Sequence, residues 1–212
     1  MAQVSGSATV VSDYRVRGVT LSAGRPAAQL DVGYDDASGL YAGAFASSVQ
    51  FYEHSEHQAQ LTGYTGFAQR LRDGWSVDGG AAYTSFSGGE GYNYLELHTG
   101  VTHKDVSARL YFSPNYFGQN VQTLYAELNG SYPLAERFRL IGHAGALQLI
   151  SGASDYNGGS HPHADLLGGV QASLHPFTLQ LSRIAGDGAK RVYPVGSRHP
   201  SGVWAARLSF AF

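Results

Sequence analysis

The last ten residues of the chain alternate between apolar side chains and small or polar ones, and this ending restricts the possible folds most. Trp204, Ala206, Leu208, Phe210 and the terminal Phe212 share one face of an extended segment. The other face carries Ala205, Arg207, Ser209 and Ala211. Because every second side chain of a β-strand points to the same side, the pattern predicts a strand with one apolar face.

The same alternation recurs along almost the whole chain, in twelve segments. They cover about residues 5–16, 27–35, 41–51, 59–67, 75–83, 95–102, 106–112, 124–132, 138–146, 164–174, 177–182 and 203–212. The alternation fails near Leu147-Gln148-Leu149, where a β-bulge would restore the register. We therefore predict an all-β fold, a transmembrane antiparallel up-and-down β-barrel of about 12 strands, apolar outside and polar inside. Residues 1–212 are expected to form a single barrel domain.

Short and long connections alternate between these segments. The predicted short turns are 36–39, 69–74, 103–105, 133–137 and 175–176, and the longer loops are 18–26, 52–57, 86–91, 114–120, 151–162 and 186–201. Short periplasmic turns and longer extracellular loops are typical of outer-membrane barrels, and an even strand number places both termini on the short-turn side.

Aromatic residues fall at predicted outward positions beside the short turns. They are Tyr34, Tyr41, Phe67, Trp75, Tyr132, Phe138, Phe177 and Phe212. Amphipathic rings prefer the headgroup layer of a bilayer, so these residues predict an interfacial girdle. A soluble β-sandwich or lipocalin-like barrel also alternates, but it has no reason to collect aromatic residues at one rim.

The composition excludes several other classes of protein. Charged residues make up 14% of the chain, against roughly 25% in an average soluble domain. No apolar run reaches the roughly 18 residues of a transmembrane helix. A net charge of −2 provides no basic field for nucleic acid. Cysteine is absent, which excludes disulfides, thiol catalysis and cysteine-based zinc sites.

The polar faces of the predicted strands supply the candidate pore-lining residues. These are Asp13, Arg15, Arg17, Gln29, Asp31, Gln60, Asp78, Glu96, His98, Arg109, Tyr125, Glu127, Asn129, Arg139, His143, Asp165, Gln171 and Arg207. Arginines and carboxylates either line opposite walls of a narrow water-filled pore or interleave as a salt-bridged plug. The near balance of charge argues against a strong anion or cation filter.

The first arginines allow two interpretations. Arg15 and Arg17, with Arg25 in the next loop, form a basic patch at the outer mouth, or they neutralise Asp13 and Asp31 nearby.

Two stretches near the amino terminus resemble a known family. Asp13-Tyr14-Arg15-Val16-Arg17-Gly18-Val19-Thr20 and Gly39-Leu40-Tyr41-Ala42-Gly43-Ala44-Phe45-Ala46-Ser47 are similar to the signature of the TorF family of proteobacterial porins. Tyr94-Leu95-Glu96-Leu97 and Ser131-Tyr132-Pro133-Leu134 add weaker similarity. The resemblance implies an outer-membrane channel and supplies no catalytic residue. The terminal strand ending at Phe212 likewise looks like the signal that bacterial barrels present to the barrel-assembly machinery.

Three function classes follow from this interpretation. The first is a channel for passive diffusion of small hydrophilic solutes or ions, and the second is a closed barrel with a structural or adhesive role through its outer loops. The third, an enzyme, is not expected, since no catalytic triad can be nominated from spacing. We expect no cofactor, and the histidine pairs His54/His57 and His161/His163 are too small for a zinc site.

We expect the chain to be integral to the bacterial outer membrane, among outer-membrane lipids. Its start, Met1-Ala2-Gln3-Val4, is typical of a mature amino terminus with an added initiator Met, so we expect that a signal peptide was removed.

Overall fold

The fold is a closed antiparallel β-barrel of twelve strands, which confirms the predicted fold class. The structure, a computed structural model, describes residues 2–52, 55–88, 90–151, 162–186, 193 and 202–212. The barrel strands are β1 (Gln3–Val11), β4 (Ala27–Asp35), β5 (Leu40–Val49), β6 (Gln58–Arg70), β7 (Trp75–Phe86), β8 (Tyr94–His103), β9 (Val106–Ser113), β10 (Gln122–Ala135), β11 (Phe138–Ser151), β12 (His163–Leu174), β13 (Phe177–Gly186) and β14 (Val203–Ala211). Two short strands, β2 (Arg15–Val16) and β3 (Val19–Thr20), form a separate hairpin.

The first and last strands close the barrel. β1 pairs with β14 from Ser7 opposite Ala211 to Val11 opposite Arg207. The backbone N–H of Phe212 donates to the carbonyl of Gly6 (3.0 Å), and the N–H of Gly6 donates to the carbonyl of Phe212 (2.9 Å). The Phe212 ring covers Gly6, where a Cβ atom would lie 2.5 Å from ring atom Cε2. Closure gives each of the twelve barrel strands a partner on both sides, so that the described wall exposes no strand edge, which a lipid environment would penalise.

The distribution of polarity is inverted relative to a soluble barrel. Large apolar side chains on the outer surface, such as Leu61, Leu128, Leu166 and Trp204, are each more than half exposed. Their neighbours in sequence point into the lumen and are mostly polar. Seven of the eight predicted girdle residues are exposed on the outside, from Tyr34 at 44% to Tyr132 at 66%.

The eighth girdle residue, Tyr41, was assigned to the wrong face. In β5 the alanines at 42 and 44 face outward, and Tyr41 points into the lumen, where its hydroxyl lies 2.8 Å from Nε2 of His98. Tyr41 opposes Gly66 of β6, and Tyr64 of β6 opposes Gly43 of β5. Each ring lies over the opposing glycine, at a place that a Cβ atom would fill. The two tyrosine–glycine pairs therefore fix the inward orientation of Tyr41.

The first strand was also predicted to extend too far at its carboxyl end. β1 stops at Val11, and the predicted continuation to Val16 is wrong, because residues 12–26 leave the wall and fold into the lumen. Tyr14 and Val16 pack against buried residues inside the barrel.

The connections alternate in length as predicted, and the short turns are defined by local hydrogen bonds. In the turn between β4 and β5, the Ser38 N–H donates to Oδ1 of Asp36 (2.9 Å), and Gly39 has a φ of 97°. Hydrogen bonds from the side chain and the backbone N–H of Ser38 hold the pKa of the Asp36 carboxyl below its usual value.

Strand β11 contains the predicted irregularity slightly later than expected. It lies at Ile150, which has no partner in the register with β10.

The helices among the described residues are three single 3-10 turns, Arg72–Gly74, Glu90–Tyr92 and Tyr116–Gly118. None of these helices has the length and hydropathy to cross a membrane.

Candidate functional site

The lumen contains a hairpin made by the first long connection. β2 and β3 are joined by Arg17 and Gly18, whose φ angles of 50° and 78° are both positive. Two positive φ values are typical of the tight I′ turn that joins twisted antiparallel strands. We call residues 12–26 the inner hairpin. The wall is continuous without it, because Val11 of β1 pairs directly with Ala27 of β4.

Asp13 holds the base of the inner hairpin together. Its Oδ1 accepts hydrogen bonds from the hydroxyls of Thr20 (2.6 Å) and Ser22 (3.4 Å), and its Oδ2 accepts from Nε of Arg15 (2.6 Å). Arg15 also donates from Nη1 to the carbonyl of Gly18 (2.8 Å). Arg15 therefore neutralises Asp13, as one of the two interpretations predicted, and the basic patch at the outer mouth is wrong for this residue.

Arg17 carries the tip of the hairpin across the lumen to the opposite wall. Its Nη2 donates to Oε1 of Glu96 in β8 (2.7 Å), so Arg17 neutralises Glu96 rather than Asp13 or Asp31. The guanidinium carbon lies 4.1 Å from the ring centre of Tyr125, 5.2 Å from that of Tyr116 and 5.4 Å from that of Tyr111. A cation among aromatic faces and a carboxylate is strongly held when water is excluded.

Above the hairpin, on the long-loop side, the lumen is filled by an aromatic cluster. Tyr116 and Phe117 from the connection after β9 are fully buried, and they pack with Phe86, Tyr94 and Tyr193 at ring separations of 4.8–5.6 Å. Val19 and Leu21 of the inner hairpin belong to the same cluster. This filling was missed from the sequence; the loss of alternation at Leu147, which points inward and is 1% exposed, was its available signal.

At the level of the aromatic cluster, each barrel strand contributes one buried residue that points into the lumen, and together these residues form a ring. In chain order they are Thr9, Gln29, Ser47, Gln60, Thr84, Tyr94, Ser113, Thr123, Leu147, Asp165, Ser182 and Ala205, none more than 8% exposed. The described chain therefore occludes the lumen in its outer half, and it does so with loop segments rather than with side chains of the wall alone.

Below the hairpin, towards the short-turn rim, the lumen is open. A cavity of about 820 Å³ extends from Arg17 and Tyr125 to Lys104 at the rim, and it is lined by Gln171 and Gln180. A second cavity of about 510 Å³ lies beside it, against Tyr64 and Arg109. We call the two cavities together the vestibule.

A hydrogen-bonded network joins the vestibule to the hairpin. Nε2 of His143 lies 2.7 Å from Oδ2 of Asp165, and Nδ1 lies 2.7 Å from Oδ1 of Asn129. The amide oxygen of Asn129 therefore faces His143, and this orientation is supported by Nδ2 of the same amide, which donates to Glu127 (3.1 Å). Both ring nitrogens thus face acceptors, which fits an imidazolium ring. The Tyr125 hydroxyl donates to Asp165 (3.1 Å), so the network includes the ring beneath Arg17.

A second polar group lies on the other wall of the vestibule. Asp78 accepts from Nη2 of Arg109 (3.3 Å), and its Oδ2 lies 3.5 Å from Nε2 of His98. His98 in turn contacts the hydroxyl of Tyr41. Charges of both signs therefore interleave within each group, and they are not separated onto opposite walls.

The remaining predicted site residues are distributed around the wall. Arg207 donates to Gln29 (3.2 Å), and Gln60 accepts from the Tyr14 hydroxyl (3.1 Å). The hydroxyl of Tyr64 donates to Asp31 (3.4 Å). Arg139 forms an ion pair with Asp105 at the short-turn rim.

All of the predicted site residues thus point into the lumen or belong to the inner hairpin, while their role as pore-lining residues stays a prediction. The list omitted Tyr14, Tyr41, Tyr64 and Tyr111, although alternation had already placed Tyr64 and Tyr111 with the polar residues. The described residues contain no group of three or more potential metal ligands. His54 and His161 lie outside the described residues.

Comparison with known proteins agrees with this geometry. A family model described as "Bacterial protein of unknown function (Gcw_chp)" matches residues 2–210. The chain belongs to the Gcw_chp family. No curated protein matches the chain. The family match is compatible with the resemblance to TorF porins, but it carries no such name, so that assignment stays a prediction.

Solved structures with the same fold include several outer-membrane barrels. The NanC porin is similar with a TM-score of 0.62 and 12% identity, covering 99% of both chains. The KdgM porin, solved in complex with disordered oligogalacturonate, has a TM-score of 0.59 and 9% identity, covering 100% of this chain and 99% of that chain. The translocator domain of the autotransporter NalP from Neisseria meningitidis has a TM-score of 0.50 and 12% identity, covering 100% of this chain and 87% of that chain. Identities this low establish the shared fold alone.

Proposed function

We propose that this Gcw_chp protein is a channel of the bacterial outer membrane, through which small hydrophilic solutes or ions pass when the inner hairpin moves. The observation that carries the proposal is that loop segments, the inner hairpin among them, occlude the lumen, while the barrel wall is complete without them. Val11 pairs with Ala27 at the base of the hairpin, so the barrel does not need residues 12–26 for closure. The apolar outer surface and the aromatic girdle suit a bilayer, and the NanC and KdgM porins share the fold.

In this proposal the vestibule faces the periplasm, because short turns lie on the periplasmic side of bacterial barrels. Solute entering from the outside passes the level of Arg17 and then reaches the vestibule. The charges there interleave, as in Asp78 with Arg109, so ion selectivity is weak.

The hairpin is joined to the wall by a small number of polar contacts and by apolar packing. Its polar contacts with the wall include the ion pair of Arg17 with Glu96 and a backbone hydrogen bond from the Gln50 N–H to the Leu21 carbonyl (2.7 Å). Val19 and Leu21 also pack in the aromatic cluster. The polar contacts can be replaced by water when the hairpin leaves, because polar groups of the wall then become hydrated, whereas the apolar packing is lost.

The alternative function is a closed barrel with a structural or adhesive role. The ring of buried inward residues, which includes all twelve strands, favours it. The two functions predict different results when the hairpin is removed together with its residues in the aromatic cluster. A channel then conducts, and a closed barrel does not.

A planar-bilayer recording separates the two functions. Replacing residues 12–26 with a two-residue Asn-Gly turn should join β1 to β4 in a normal hairpin, since Val11 and Ala27 are paired. We expect brief openings from the unaltered protein and a larger, steadier conductance from the shortened variant. A shortened variant that folds, shown by heat-modifiable migration on a gel, and yet never conducts would overturn the channel and favour the closed barrel.

A further inference from the structure

The surroundings of Arg17 form a binding site in their own right. Rings of Tyr111, Tyr116 and Tyr125 surround the guanidinium carbon at 4.1–5.4 Å, and Glu96 pairs with it. We call these four residues the cage. Three aromatic faces with one carboxylate are a general arrangement for recognising organic cations, because the negative face of each ring and the carboxylate attract the same charge.

The cage is acidic once Arg17 is removed from it. Tyr111 donates a hydrogen bond to Glu127 (3.1 Å), and Tyr125 donates to Asp165 (3.1 Å). Two of the three rings are therefore backed by a carboxylate, in addition to Glu96 inside the cage. His143, which contacts Asp165 at 2.7 Å, offsets at most one of these three negative charges, when its ring is protonated. A vacated cage would retain a net negative charge in a partly dry site, where electrostatic attraction is strong.

Arg17 does not use all the hydrogen-bond donors of its guanidinium group within the cage. Its side chain is 10% exposed, yet among the described residues Nη1 is a buried donor with no hydrogen-bond partner. A buried donor of this kind costs free energy that a better-fitting cation need not spend. Arg17 therefore resembles a tethered ligand whose fit is limited by its attachment to the hairpin.

The cage can be reached from solvent. The larger cavity of the vestibule is lined by Arg17, Tyr111 and Tyr125 and continues to Lys104 at the short-turn rim. A solute in the vestibule would thus contact the cage without crossing the occluded outer half.

We propose that the cage is a binding site for small organic cations that carry a guanidinium or ammonium group, and that Arg17 occupies it as an internal competitor. A cation that takes the place of Arg17 removes the ion pair between the hairpin and β8 and so favours the open lumen. This last consequence rests on the proposed channel function, whereas occupancy of the cage does not.

The binding test uses Arg17→Ala, which removes the guanidinium group from the cage and leaves the Asp13 contacts at the base of the hairpin unchanged. Methylguanidinium at millimolar concentration should bind this variant at least ~10-fold more tightly than methylurea, its neutral isostere, because loss of the charge removes the interaction with Glu96. Binding is followed by the shift in unfolding temperature of the folded barrel in detergent. Arg17→Ala combined with Glu96→Gln should abolish the preference.

Arg207→Ala is the matched control, since it removes another lumen arginine, one that donates to the amide of Gln29. It should create no preference for methylguanidinium. Equal effects of methylguanidinium and methylurea on Arg17→Ala would overturn the cage. So would an equal preference in the Arg207→Ala control.

A conductance measurement separates failure of the cage from failure of the channel. Methylguanidinium added on the short-turn side should raise the fraction of time that the unaltered protein conducts, and methylurea should not. Preferential binding to Arg17→Ala without any conductance from the shortened variant would leave the cage standing and remove the channel. Conductance of the shortened variant without preferential binding would do the reverse.

Discussion

Gly18 at the tip of the inner hairpin lies directly against Gly186 of β13. A Cβ atom on Gly18 would lie 3.3 Å from Cα of Gly186, and a Cβ atom on Gly186 would lie 3.3 Å from Cα of Gly18. The hairpin thus approaches the wall at a point where neither backbone carries a side chain. Since the two positions face each other, they are suited to a covalent link between the hairpin and the barrel.

Gly18→Cys combined with Gly186→Cys should therefore lock the hairpin by a disulfide. The chain contains no cysteine, so no other thiol competes. Gly18 has a φ of 78°, and a cysteine there costs about 1–2 kcal/mol in backbone conformation. Its Cβ atom would also lie 3.0 Å from Cβ of Asp165, which has to shift slightly. We expect oxidation to suppress openings in a planar bilayer and a reductant to restore them. Each single cysteine variant serves as the control, and openings that persist in the oxidised double variant would contradict motion of the hairpin.

Asp13 should control the stability of the hairpin rather than the selectivity of the lumen. Asp13→Asn removes a charge-assisted contact with Arg15 and weakens the acceptor for Thr20, at a cost of about 1.5–3 kcal/mol. Hydrogen exchange of the Leu21 amide, which donates to the carbonyl of Tyr14 (2.8 Å), should accelerate, by about tenfold or more for a loss of that size.

Asp36→Asn in the exposed turn between β4 and β5 is the matched control for this substitution. It should leave the exchange of Leu21 unchanged. If Asp13→Asn altered ion selectivity and left hydrogen exchange at Leu21 as before, Asp13 would line the pore and would not organise the hairpin.

The alternation of the sequence predicted the barrel because one rule, lipid outside and polar groups inside, acts on every strand. In β10, for example, Leu128 faces outward and Asn129 faces the lumen, as the alternation indicates. The same rule could not show where β1 ends. Residues 13–16 continue the alternation, since the inner hairpin is also built of strands and also has two faces.

Contacts between distant residues decided the rest of the site. Apolar side chains occupy both faces of β5, so alternation could not decide which face carries Tyr41. Only the opposing Gly66 on β6 shows which side of the sheet has room for the tyrosine ring. The pairing of Arg17 with Glu96 joins residues from different parts of the chain. Alternation gives the face of each residue, but it does not give the partner across the lumen.

Thiol labelling should separate the open and the occluded halves of the lumen. Cysteines at Ser107 and Gln171, which line the vestibule, should react quickly with a membrane-impermeant reagent applied to the folded barrel. Cysteines at Ser113 (0% exposed) and Thr123 (1% exposed) should react slowly. Replacement of residues 12–26 by an Asn-Gly turn should increase the reaction of the cysteine at Thr123. Equal reaction of all four positions in the full-length chain would show that the outer half is not occluded.

A charge on the outer surface should destabilise the barrel in lipid. Leu97 in β8 is 47% exposed on the apolar face, and Leu97→Arg should cost about 2–4 kcal/mol if the residue lies near the bilayer midplane. Ser107→Arg is the matched control, because Ser107 lines the vestibule, which is open at the short-turn rim, so that a guanidinium group there keeps its hydration. Urea unfolding in lipid vesicles measures both variants. Comparable loss of stability in the two, or none in Leu97→Arg, would mean that the face carrying Leu97 does not contact hydrocarbon.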